Sequence, residues 1–197
     1  MQIVIRLAQM LLWGIAVIAL TFLMINIHEI GHTVAARLGG DSTASYHLYQ
    51  TYRSGELDCI GCNVYDPSKL SFWGKFWNAA GGVLATQAVA ILALGAIRYR
   101  VTRRTVGRLL KVFVVICVIG DALYQTVQAL LAPIATQSGL TNVDFADALY
   151  LLHVRFGYSV IALKGSLTAL TLLYVTVMLW LTLYLTPSSR AAGRERS

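Results

Sequence analysis

Charge is scarce in this chain. Of its 197 residues, 13% are charged and 57% are hydrophobic, with a mean hydropathy of +0.64. That balance excludes a water-soluble globule and fits one membrane domain. Cysteine is scarce too. Cys59 and Cys62 form a single CxxC, which is half of a zinc knuckle or the makings of one disulfide, and Cys117 sits in an apolar run as a packing residue. No internal repeat is present, which weighs against alternating-access transport. No basic face with interleaved aromatics exists either, so the net charge of +7 does not point to nucleic acid. The basic residues fall instead in short runs between apolar segments, as topology signals and contacts to the headgroups of a lipid bilayer.

The long apolar segments predict an all-α membrane protein of about four transmembrane helices, over residues 7–38, 79–97, 109–133 and 158–186. All lie in one membrane-embedded domain, 1–189, followed by a basic tail, 190–197. The first apolar run is too long for a signal-peptide core, and Gly39-Gly40 ends it. The only long polar connection, 41–75, holds strand-like stretches broken by Ser54-Gly55 and Asp66-Pro67. It predicts a small β-hairpin or sheet over 44–66. A short helix is expected over 144–154, capped by Asn142 or Asp144. Arg98, Arg100, Arg103, Arg104, Arg108 and Lys111 make their connection cytoplasmic by the positive-inside rule. Both termini then fall on the cytoplasmic side, with the hairpin toward the other face.

The first helix ends in NIHEIGHTVAAR, residues 26–37. Histidines four apart share one helix face, about 40° apart, so His28 and His32 can grip one metal ion. Glu29, next round that face, would hold a proton acceptor over a metal-bound water. Three ionisable groups near bilayer depth cost a few kcal/mol each, which counts against coincidence. A hydrolytic site needs one more protein ligand, and the candidates are Asp121, Asp144, Asp147, His47 and His153. Counted from Arg6, the motif lies about 36 Å along the first helix; counted from Lys111, Asp121 lies about 15 Å along the third. Depth therefore favours Asp144, returned to the level of the histidines by a re-entrant turn, with Asp121 and then Asp147 as alternatives. Asp121 shares a polar stripe with Tyr124, Gln125 and Gln128, suited to helix packing or a water network. His47 and His153 read as interfacial or hydrogen-bonded residues.

HEIGH at the end of a hydrophobic helix resembles the HExGH of the site-2 protease family, intramembrane zinc metallopeptidases, in its short form without PDZ or other added domains. The resemblance covers about residues 7–152. It implies one zinc ion held by His28, His32 and Asp144, catalysis by Glu29, and a membrane-protein substrate whose unwound segment meets an edge strand of the hairpin. Asp144, in NVDFADA, stands where the family carries its aspartate, but no Gly-Gly follows it. Gly81-Gly82 with Thr86 and Gln87 stands where the family shows Gly-Pro and then Asn. Gly81-Gly82 permits close helix approach, and Gln87 is either a stand-in for that Asn or a simple helix contact. These departures leave a second function open: a non-catalytic membrane protein of the same fold that binds membrane helices, with or without zinc. A small transporter using the polar stripe is a weaker third.

Overall fold

The computed structural model describes residues 2–51, 57–99, 101, 103–132 and 143–184. The Ser54-Gly55 break, Arg100, the cap candidate Asn142, the outer ends of the third and fourth expected helices and the basic tail lie outside those residues. The described residues are mostly helical, with one two-stranded antiparallel sheet. In order come α1 (Gln2–Gly39), β1 (Ser45–Thr51), β2 (Leu57–Val64), α2 (Phe72–Tyr99), α3 (Arg104–Cys117), a π turn (Val118–Leu123), α4 (Tyr124–Leu131), α5 (Asp144–Phe156) and α6 (Val160–Tyr184). Among the described residues, three helices, α1, α2 and α6, are long and apolar enough to cross a membrane. In place of the third expected helix stands a run from Arg104 to Leu131, interrupted by the π turn where one extra residue widens the coil.

Against α1, the start of α2 packs through glycines. Gly31 meets the carbonyl of Gly81, and a Cβ on Gly39 would stand 2.7 Å from the Gly74 backbone. In an apolar solvent, helices associate through such close packing rather than through hydrophobic expulsion. α2 begins earlier than the sequence suggests because the Ser71 hydroxyl accepts the Gly74 amide at 3.0 Å and caps the first turn. Toward the other end, Met24, Ala90, Leu94, Phe113, Val114, Val175 and Met178 form the apolar core, with Cys117 buried among them as a free thiol.

At Gly40 α1 stops, and Asp41 ties the following loop together. Its carboxylate accepts the amides of Thr43 at 3.0 Å and Asp66 at 2.7 Å, and Lys69 Nζ lies at 3.3 Å. That staple holds the hairpin back over the end of α1. The strands pair Ser45 with Val64, Tyr46 with Asn63 and His47 with Cys62. Cys59 and Cys62 are joined in a disulfide, with Cα atoms 6.1 Å apart, so the CxxC is not half of a zinc knuckle. In a regular strand, residues three apart lie about 10 Å apart on opposite faces. Gly61, at φ 66°, turns the backbone left-handed between them and lets the bridge close.

Candidate metal centre

The helical period brings His28 and His32 together on the face of α1 that meets α2, where both are buried. Their outer ring nitrogens are engaged. His32 Nδ1 lies 2.6 Å from the Asn78 carbonyl, which can only accept, so Nδ1 carries the proton. His28 Nδ1 lies 3.0 Å from the Asp121 carboxylate. In the neutral rings both Nε2 atoms then present lone pairs, and they face each other at 3.0 Å. Asp144 completes a triangle, its Oδ2 lying 2.8 Å from His28 Nε2 and 3.3 Å from His32 Nε2. That oxygen is buried, and the two ring nitrogens are its partners among the described contacts.

Three lone-pair atoms converging in a buried space repel one another unless a proton or a metal cation lies between them. Ligand atoms about 2.0–2.1 Å from a tetrahedral zinc stand about 3.3 Å apart, so spacings of 2.8–3.3 Å suit a small divalent ion. His28, Glu29 and His32 each place a ligand atom within 4.8 Å of the others, a group able to hold a metal ion. Room for it comes from Gly82: a Cβ there would stand 2.5 Å from His28 Nε2 and 2.6 Å from His32 Nε2.

Glu29 is half-buried beneath the hairpin. Its side chain packs on Gly61, whose Cβ position lies 3.3 Å from Glu29 Cγ, and the Asn63 amide donates to its carboxylate. Thr33 fixes the same strand by donating to Asn63 Oδ1 at 3.0 Å. A cavity of about 230 Å³ opens beside the triangle, walled by Glu29, Asn63, Tyr65, Lys75 and Asp147 among others. Burial and the charges of Asp147 and Asp144 push the Tyr65 phenol up, against a hydrogen bond from Asn78. At neutral pH Tyr65 therefore keeps its O–H at this wall.

Asp144 does not cap its helix: Val143 takes the cap position with no side-chain bond, and the Asp144 carboxylate turns to the histidines. Asp121 differs from its expected depth. It stands level with His28, because the helical run begins at Arg104, ahead of the expected start at 109 and of the Lys111 from which its rise is counted, and the long α1 starts well before the bundle, leaving much of its first half exposed. Asp121 touches His28 on the ring edge opposite Asp144, so the two carboxylates do not share one ion. The polar stripe divides accordingly. Gln125 lies near Asp121 and Glu29 beside a small cavity, while Gln128 donates to the exposed Tyr124. Asp147 lines the larger cavity beside the triangle. His47 is exposed on β1, 3.0 Å from the Ser45 hydroxyl, and His153 Nδ1 bonds the Tyr158 carbonyl; neither reaches the centre. Gln87 makes helix contacts away from the triangle, donating to the Cys117 carbonyl at 2.9 Å and accepting from Tyr174 at 3.0 Å. The Asn78 carbonyl and the vacancy at Gly82 were not legible as site features; Gly81-Gly82 signalled only close helix approach. Comparisons with protein-family models, with curated proteins and with solved structures found no match.

Proposed function

We propose that this chain is an intramembrane zinc metalloendopeptidase, a short site-2-protease-like enzyme that hydrolyses a peptide bond in or near a transmembrane segment of a membrane protein. The observation that carries the reading is the triangle of two imidazole Nε2 atoms and one carboxylate oxygen, with Glu29 beside it, on a helix apolar enough to span a bilayer. His28, His32 and Asp144 would hold the ion. Bound zinc supplies Lewis acidity and an acidified water. Glu29 takes the proton from the attacking water and delivers it to the leaving amide nitrogen. The substrate helix must unwind locally, because a helical carbonyl is already hydrogen-bonded and shielded.

On this reading the α3–α4 run is a fourth span, and the hairpin and the metal centre lie at the opposite end of the bundle from the basic residues between α2 and α3. The test is zinc content and cleavage of membrane-protein substrates by detergent-purified chain. Near-unit zinc in wild type and in Glu29→Gln, with cleavage only in wild type, is the expected result. Cleavage retained in Glu29→Gln would remove the mechanism. A wild type that binds zinc yet never cuts would favour the helix-binding alternative.

A further inference from the structure

The π turn stands where Asp121 meets His28. Of the residues in the run from Arg104 to Leu131, Asp121 alone reaches a metal-centre histidine among the described contacts, and it sits within the turn. Single π turns inside α-helices add one residue and rotate the side chains around them, and they recur at functional sites. Here the turn is gripped from outside. The Thr86 hydroxyl of α2 donates to Asp121 Oδ2, and its oxygen stands 2.9 Å from the Val83 carbonyl of the preceding turn. Gln87, the next residue, donates to the carbonyl of Cys117, immediately before the turn. Gln87 is itself oriented by two bonds: its amide nitrogen lies 3.0 Å from Thr86 Oγ1, and its oxygen accepts the Tyr174 hydroxyl of α6. Thr86 is fully enclosed, and Asp121 is 3% exposed, so water does not compete for these bonds.

We propose that Asp121 is the positioning residue of the metal centre, and that Thr86 and Gln87, backed by Tyr174, clamp the π turn that aims it. The proposal rests on the metal reading above and adds to it a chain of contacts from α6 through α2 to His28. A carboxylate on the far nitrogen of a metal-binding imidazole fixes which nitrogen carries the proton and how the ring is turned. The carboxylate of Asp121 does this for His28 as the Asn78 carbonyl does for His32. The bland account, that these residues only pack helices together, predicts changes in stability and none in the metal's own properties.

Zinc affinity by competition with a chelator, and the visible spectrum of the cobalt(II)-substituted full-length chain in detergent, distinguish the two. Asp121→Asn should weaken zinc binding about 10- to 100-fold and shift the cobalt bands. Thr86→Val and Gln87→Leu should move both readouts in the same direction by less, and Thr86→Ser should restore them. If wild type binds one ion and Asp121→Asn, folded by its melting curve, matches it in affinity and cobalt spectrum, the positioning role is wrong while the metal site stands. The positioning role is equally wrong if Asp121→Asn misfolds but Thr86→Val and Gln87→Leu leave both readouts unmoved. A wild type that takes up neither zinc nor cobalt overturns the metal reading and this proposal together.

Discussion

A methyl group at position 82 would enter the space between the two imidazoles, 2.5 Å from His28 Nε2. Retreat of α2 from the imidazoles would open its close contact with α1 at Gly81 and Gly31. Gly82→Ala should therefore lose zinc at least tenfold, as measured by metal content after dialysis, and destabilise the fold by about 1–3 kcal/mol through overpacking. Unchanged zinc in that variant would mean that the imidazoles do not meet at this vacancy. His28, Glu29 and His32 were legible because helical spacing is fixed whatever surrounds it. Asp144 was legible only as one candidate among five, because its place depends on how the chain returns after α4. The contact of Asp121 was hidden for a different reason: counting rises from a charged residue assumes a regular helix and a shared starting level, and a π turn and a long α1 break both assumptions.

Among the elements, the hairpin is the part whose existence the sequence predicts and whose construction it conceals. Strand-like stretches and the Asp66-Pro67 break mark its limits, but the bridge from Cys59 to Cys62 depends on the left-handed conformation at Gly61, which spacing does not reveal. The hairpin is moored through Asp41, whose carboxyl is held well below the ordinary carboxylate value of 3.8 by the Thr43 hydroxyl first, then the Asp66 amide. A depressed folded-state value means that this stabilisation is complete above the ordinary value and is lost as pH falls through the lower one. Hydrogen exchange at the β1 amides should accelerate below about pH 4 relative to the chemical rate, and Asp41→Asn should remove that pH dependence by being weakly moored throughout. A wild-type profile with no acid-side change would show that Asp41 is not the mooring.

For the whole molecule, the start of α2 is locked to the end of α1, while its far end leads to the basic connection. The 28 residues of α2 extend about 42 Å at 1.5 Å per residue, enough to part the two ends across a bilayer. A membrane-impermeant thiol reagent should label Ser42→Cys and Arg103→Cys from opposite sides of sealed vesicles, and labelling of both from one side would refute the spanning arrangement. The order of the elements along the chain has a consequence for biosynthesis. His28 and His32 enter the membrane more than a hundred residues ahead of Asp144, and Tyr174, which steadies Gln87, follows later still. During synthesis the two imidazoles must wait in the bilayer without the carboxylate that completes their triangle. The triangle closes only after most of the bundle has been made, so a ribosome-bound intermediate carries the motif without the arrangement that could hold a metal ion.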